Sequence, residues 1–485
     1  MLRRMEHRGP DDQGEVRLNG SWLGHRRLSI VDVESGHQPL TTPDDDLWLV
    51  GNGEIYNHED VRSWIGPAEY ATRSDNEVAL HLLARKGPDA LGELEGMFAL
   101  LAAGADGRFV AARDPVGIKP LYWARDEGRV RFASEMAAFD EEVQERVELF
   151  PPGCYWTPKG GIERFAAAVP DSDERDRADS ATADSERAAT RAALVGSVER
   201  QMMGDVPVGV FLSGGLDSTL VAAIAARWMQ RRGERLKTFA VGTEGSADLL
   251  AAREAARHLE TEHHERVYTP QEALEVVPAV VRSIEHFDPS LVRSAVPNFL
   301  LAEMTARHVK VVLTGEGADE LFAGYQYLRG FSDAEDLHAE ITRTVEGLHN
   351  LNLQRCDRVT MAHGLEARVP FLDREVIAFA LGLPAQSKLA GPAEPEKRLL
   401  REAFEGWLPN ELLWREKSQF GDGSGAADVL TAVMEDGIGA EEFERERGVV
   451  DPPLRTREEL AYYRIFSEHL PGVRPEQTVE RFATA

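Results

Sequence analysis

The sequence predicts an α/β protein in two parts, a strand-rich first unit followed by a parallel sheet clad in helices. Three observations carry this expectation. From about Glu186 onward, short apolar runs alternate with long stretches of helical period, as in a parallel α/β sheet. Residues 1 to about 150 hold short apolar runs between turn residues, which suits sheets with interspersed helices. Between these patterns, residues 171–185 consist mostly of Asp, Glu, Arg, Ser and Ala, poor material for a core. The chain therefore divides into a first unit over 1–170, an acidic linker over 171–186 and a second unit over 187–485.

In the first unit, Leu47–Val50, Phe98–Leu101, Phe109–Ala112, Leu121–Ala124 and Val130–Ala133 read as strands. Residues 75–83 and 87–94 suit helices, the first capped by Ser74 or Asp75. In the second unit, strands are expected at Val206–Leu212, Lys237–Val241 and Val309–Leu313. Each ends in a polar or glycine-containing loop, and ligands of such sheets bind at the carboxyl ends of the strands. The three loops should therefore converge.

Composition sets outer limits. Asp and Glu number 83 against 55 Lys and Arg, a formal charge of −28, which argues against nucleic acid or an anionic membrane as partner. Only two cysteines, Cys154 and Cys356, are present, which excludes a disulfide framework and fits a reducing compartment. No apolar run approaches the length of a membrane span. The expectation is a cytoplasmic protein.

The first loop, Ser213-Gly214-Gly215-Leu216-Asp217-Ser218, joins a buried strand to a helix whose apolar face recurs at Leu216, Leu220, Ile224 and Trp228 and which is expected to begin near Thr219. Helix N-termini attract phosphate, and glycines let backbone approach a ligand closely. The loop has no P-loop lysine, so it is not built for γ-phosphate transfer. Asp217 adds a hard oxygen ligand suited to Mg²⁺ on a pyrophosphate. The loop resembles that of the ATP pyrophosphatases, which adenylate a substrate. The bland alternative is a polar strand-to-helix turn.

After the third strand, Thr314-Gly315-Glu316-Gly317-Ala318-Asp319-Glu320 brings three carboxylates within five residues. Acids that complement a helix dipole would account for Asp319 and Glu320 better than for Glu316, which sits between glycines. Asp217 and Asp319 would make a carboxylate pair for one Mg²⁺. In Gly364–Asp373, Glu366 and Arg368 could form a structural ion pair or hold substrate, and Asp373 suits a helix cap. Two stretches, around Lys397 and Lys417, offer the cation that an adenylation site needs.

These motifs together resemble the glutamine-hydrolysing asparagine synthetases along essentially the whole chain. Arg8–Asp12, His25–Asp32, Asn52–Asn57, Ser74–Glu77, Gly96–Ala99 and Arg113–Tyr122 are similar to that family's glutaminase half, an N-terminal-nucleophile amidotransferase-like sandwich. Residues 187–485 resemble its ATP-pyrophosphatase-like synthetase domain. The resemblance implies that Arg27, Leu28, Ser29, Ile30, Val31, Asn52, Gly53, Glu54 and Asp75 hold glutamine. Charge agrees: Arg27 suits an α-carboxylate, Asp75 an α-ammonium, and Asn52 an oxyanion. It further implies that Leu212 and Val241 flank the adenine of ATP, that Ser213–Ser218 take the phosphates, and that Thr314 and Gly315 contact the nucleotide. Glu316 would correspond to the glutamate tied to forming and aminating a β-aspartyl adenylate, and Lys417, preferred over Lys397, to a phosphate-neutralising lysine. The expected substrates are ATP, aspartate and glutamine or ammonia, with Mg²⁺ as cofactor, and the resemblance is compatible with a homodimer.

One departure concerns the family's glutaminase nucleophile, a cysteine exposed at the mature N-terminus. This chain begins Met1-Leu2, and Cys154 and Cys356 read as packed small hydrophobes. The expectation is a truncated or misassigned start, or else a thiol-less enzyme; in either case the chain as written draws its nitrogen from ammonia. The missing cysteine also keeps open a β-lactam-synthetase-like cyclase, although those cyclases resemble one another in a tyrosine where Glu316 stands here. A catalytically silent scaffold is the third alternative.

Overall fold

The computed structural model describes residues 1–66, 69–169, 183–331, 333–389, 394–415 and 427–482. In the first unit, a six-stranded antiparallel sheet runs Gly161–Arg164, Cys154–Thr157, Phe109–Arg113, Gly96–Gly104, Leu47–Ile55, Leu40–Thr41. A strand's side chains alternate between faces, and Gly96–Gly104 shows the consequence. Ala99 packs with Leu121, Trp123, Phe132 and Phe150 around a three-stranded sheet, Arg129–Ala133, Tyr122–Asp126, Val147–Leu149. Phe98, Leu100 and Ala102 meet Val61, Val78 and Leu82 of the helices His58–Ile65 and Asn76–Lys86. This is the expected sandwich with a helical layer.

Two local expectations differ. Asp75 precedes the helix, but its carboxylate accepts the Ile55 N–H at 2.7 Å and so braces a strand end in place of capping. Pro88–Glu93 is a 3₁₀ helix, since six residues with an internal glycine offer little to an α-helix against its nucleation cost. Both cysteines are buried, and burial pushes the Cys356 thiol up to about 12, as fits packing residues.

The second unit holds a five-stranded parallel sheet in the order Glu262–Val267, Lys237–Gly242, Val208–Phe211, Val311–Leu313, Glu366–Arg368. Two of these strands lacked an apolar signature. Glu262–Val267 is a polar edge strand of intermediate burial, and Glu366–Arg368 has three residues, two of them charged. The helix Ala183–Gln201 begins inside the stretch assigned to the linker, whose residues 171–182 lie outside the described ones. The helix after the glycine loop starts at Leu216, three residues before the expected Thr219, because Gly215 is its N-cap; Asp217 and Ser218 thus occupy its first turn. Strand order reverses between Val208–Phe211 and Val311–Leu313, and a crevice opens at such a switch point.

Buried charges join the units. Arg8 pairs with Asp357 at 2.8 Å, Lys119 with Glu366 at 3.2 Å and Arg368 with Glu54 at 3.4 Å. Arg368 also meets Glu366 at 3.0 Å, the ion pair that the sequence allowed. Arg358 bridges Glu135 at 2.8 Å and Glu285 at 2.9 Å.

At the end of the chain, His286 Nε2 donates to the Glu480 carbonyl at 2.7 Å while its Nδ1 accepts the Asp288 N–H at 3.0 Å. Both bonds require a neutral ring, and burial pushes its pKa down to about 4. A histidine that charges more readily unfolded than folded contributes stability above its unfolded value near 6.5, lost as pH falls toward 4. The drop in pKa from 6.5 to about 4 corresponds to about 3 kcal/mol. Urea unfolding between these pH values should show that loss, and His286→Gln should flatten the profile by about one proton.

Candidate functional site

The switch point brings together the two loops that carry the chemistry. Gly214 has φ +75°, and a Cβ there would lie 2.6 Å from the Ala251 carbonyl carbon and the Ala252 nitrogen, so the turn is closed to other residues. The Ser213 and Ser218 hydroxyls stand 3.0 Å apart, and Ser218 Oγ accepts the Ser213 N–H at 3.2 Å. Hydroxyls and the first-turn N–H groups of a helix form a cradle suited to phosphate. The Gly315 backbone crosses this cradle, where a Cβ would meet Asp217 Cβ at 2.8 Å and Ser218 N at 2.9 Å. Leu212 and Val241 are buried in the core, and the Leu212 N–H donates to the Phe239 carbonyl at 2.8 Å.

Asp217 and Asp319 converge as expected, but a lysine joins them. Lys397 Nζ lies 2.5 Å from Asp217 Oδ2 and 2.7 Å from Asp319 Oδ1. Burial opposes the lysine's charge, yet the two carboxylates hold its pKa above the ordinary range. Lys397, ranked second from the sequence, is thus the cation placed here, while Lys417 lies outside the described residues. The stretch leading to Lys417 does reach the cradle, since Arg415 Nη1 donates to the Gly214 carbonyl at 3.0 Å.

Glu316 pairs with Arg355 on the helix Asn352–Met361, a partner with no local sequence signature. Thr314 Oγ1 accepts the Glu316 N–H at 3.4 Å, and Thr314 N donates to the Arg368 carbonyl at 2.9 Å. Glu320 is buried beneath: Tyr325 Oη donates to it at 2.5 Å and Asn352 Nδ2 at 3.2 Å. Burial, then Asp319 and Glu316, push its pKa up to about 7, so Glu320 is not a solvated helix-start acid.

For Mg²⁺ the structure offers two hard carboxylate oxygens close enough to share one cation. Among the described residues no group of three or more His, Cys, Asp or Glu could hold a metal. This donor set fits Mg²⁺, which is commonly bound by one or two carboxylates together with substrate phosphates.

A second site lies in the first unit, a cavity of about 100 Å³ lined by Arg27, Leu28, Ile30, Val31, Asn52, Gly53, Glu54 and Asp75. Of the nine residues expected there only Ser29 is missing from the lining; its N–H donates to Asp11 Oδ2 at 2.8 Å. The Asn52 Nδ2 is buried and has no hydrogen-bond partner among the described residues, as suits a donor awaiting a ligand. Arg27 departs from the expected free guanidinium, since it donates to the carbonyls of Val31, Asp32 and Val33 at 2.9, 2.8 and 3.3 Å. Burial pushes Asp75 and Glu54 above the usual carboxylate range. Sequence reasoning missed Gln38, which lines the cavity and both donates to and accepts from the Gly51 backbone; His25, part of the motif but given no role there, is bonded to the Gly51 carbonyl and pushed down to about 4 by burial. Glu366 of the second unit also lines it, and neither cysteine does.

Known proteins resemble both units of the chain. The asparagine synthase family model matches residues 189–332 and 329–472, and the glutamine amidotransferase domain model matches residues 1–152. A probable glutamine-hydrolysing asparagine synthetase of Dictyostelium discoideum is 38% identical over 99% of this chain and 91% of its own length. Asparagine synthetase B of Escherichia coli is 39% identical over 97% of this chain and 87% of its own. A solved glutamine phosphoribosylpyrophosphate amidotransferase of B. subtilis overlaps more loosely, at a TM-score of 0.30 and 18% identity over 55% of this chain and 77% of that one.

Proposed function

The chain belongs to the family of glutamine-hydrolysing asparagine synthetases, and on that premise we infer that it is a carbon–nitrogen ligase that makes asparagine by ATP-dependent amidation of aspartate. The observation that carries the site assignment is the meeting of Ser213–Ser218 and Thr314–Asp319 at the sheet's switch point. The glycine cradle binds the phosphates of ATP. The aspartate side-chain carboxylate attacks the α-phosphorus, the bond to the bridging oxygen breaks, and pyrophosphate leaves with the electron pair. The cradle N–H groups and Lys397 are the donors offered to that charge, and Lys417 is assigned to it by the family resemblance alone. Asp217 and Asp319 would hold Mg²⁺, which when bound would supply charge neutralisation on the phosphates.

Ammonia then attacks the acyl carbon of the β-aspartyl adenylate. Glu316 accepts a proton from the attacking nitrogen, the acyl–oxygen bond breaks and AMP departs. Arg355 holds the Glu316 carboxylate in place for this step. The cavity in the first unit is assigned to glutamine: Asp75 faces its α-ammonium and Asn52 its amide oxygen. The two cysteines of this chain are buried away from that cavity, so ammonia is the donor with which the chain is tested.

The test is exchange of labelled pyrophosphate into ATP by the purified protein, together with asparagine formation from ammonia. Exchange should depend on aspartate, and adding ammonia should convert it into net synthesis. Exchange driven by a different carboxylate with no uptake of ammonia would overturn the reading.

A further inference from the structure

Lys397 performs no role in the described fold beyond its contact with the two carboxylates assigned to the metal, and its surroundings are shaped to deliver it there. It is 2% exposed. Its backbone adopts the left-handed region at φ 57° and ψ 37°, a conformation that residues other than glycine rarely adopt. Gly324 makes room for its stem, since a Cβ there would lie 2.2 Å from Lys397 Cε and 2.0 Å from Asp319 Oδ1. The segment is pinned from behind. Arg401 donates to the carbonyls of Glu396, Leu413 and Arg415 at 2.8, 2.6 and 3.0 Å, and Arg415 in turn bonds the Gly214 carbonyl of the cradle. Lysine, cradle and acidic loop thus form one braced unit.

Asp217 and Asp319 come from loops more than a hundred residues apart, and two carboxylates facing one point repel unless a cation stands between them. The ammonium, at 2.5 and 2.7 Å, stands there already. A divalent ion on the same two oxygens would have to displace it or sit beside it, and like charges a few ångströms apart in a buried site disfavour that strongly. The anionic phosphates of a nucleotide change the balance, because they offer the displaced ammonium a new partner and the metal its remaining oxygen ligands. We propose that Lys397 is a built-in counter-cation that keeps free divalent metal off Asp217 and Asp319 in the nucleotide-free protein, so that metal enters this pair only together with the nucleotide. This rests on the assignment of the two carboxylates to Mg²⁺.

The experiment measures binding of Mn²⁺ by electron paramagnetic resonance, with the full chain alone and with an ATP analogue carrying a methylene bridge between the α and β phosphates. The nucleotide-free wild type should show no site, and the analogue should create one. Lys397→Gln should bind Mn²⁺ without nucleotide at least about 10-fold more tightly than the wild type, with a matching rise in thermal midpoint on adding Mn²⁺. Asp319→Asn in that background should remove the gain. Equal binding by the nucleotide-free wild type and Lys397→Gln overturns the inference while leaving the metal assignment intact. Absence of any site in the wild type even with the analogue overturns the metal assignment and the inference with it. Should Lys397→Gln fail to fold, the wild-type comparison decides alone, because a metal site as tight without the analogue as with it is incompatible with exclusion by Lys397.

Discussion

Glu316→Gln lowers the rate of ammonia-dependent asparagine formation by about 10²-fold to 10⁴-fold, the range expected when a positioned proton acceptor is removed. The substitution is nearly isosteric, and the amide oxygen still accepts from Arg355, the partner of the carboxylate on the helix Asn352–Met361. The backbone contacts of this loop are untouched: Thr314 still accepts the N–H of residue 316, and Gly315 still crosses the phosphate cradle. Binding of ATP should therefore change little, and the loss should fall on kcat and not on the KM for ATP. Steady-state kinetics with ammonia as donor checks this. An unchanged kcat would remove Glu316 from the reaction, whereas a raised KM for ATP with kcat preserved would reassign it to nucleotide binding. Arg355→Gln provides the complementary case, since it leaves a partly buried carboxylate without its guanidinium and should lower kcat as well, by mispositioning Glu316.

The two reactive loops were legible because each follows directly on a buried strand, and a parallel sheet forces such loops to one edge. Ser213–Ser218 and Thr314–Asp319 required only local pattern and that rule. The same logic predicted Asp217 near Asp319 without any knowledge of the distance. What local pattern could not supply were the partners brought in from elsewhere in the chain. Lys397 enters the site from a segment 180 residues beyond Asp217, through a left-handed turn that no glycine advertises. Arg355 sits in a helix whose period says only which face is buried, and Gln38 acts through backbone groups of Gly51. The strand Glu262–Val267 was hidden for a related reason: at the sheet edge its half-exposed positions carry Glu, His and Arg, so apolar alternation is absent. Arg27 shows the converse limit, where side-chain chemistry was suggestive but backbone carbonyls of residues 31–33 already occupy the guanidinium.

Arg358→Met should be among the most damaging single changes to stability, at about 3–5 kcal/mol, because it strands two buried carboxylates at once. Arg358 is fully buried and joins Glu135 of the first unit to Glu285 of the second. Glu285 cannot turn away, since it accepts the Met136 and Ala137 N–H groups at 2.8 and 2.7 Å. Glu135 keeps Arg8 at 3.2 Å and His7 at 3.1 Å, but Arg8 is already shared with Asp357. Burial opposes ionisation of Glu135, yet Arg358, His7 and Arg8 together hold its pKa well below the usual range. A depressed carboxylate contributes stability above its unfolded pKa near 4.5 that is lost as pH falls toward the folded value. The difference between wild type and Arg358→Met should therefore be largest above pH 4.5 and shrink below it, as protonation relieves the variant's unpaired acids. Urea unfolding across that range measures both the size and the slope. Arg358 also lies one helical turn from Arg355, so loosening the joint between the units should reach Glu316. In the variant, at temperatures where it remains folded, kcat should fall with it; a stability loss with kcat untouched would mean that this helix holds the units together without positioning the reactive glutamate.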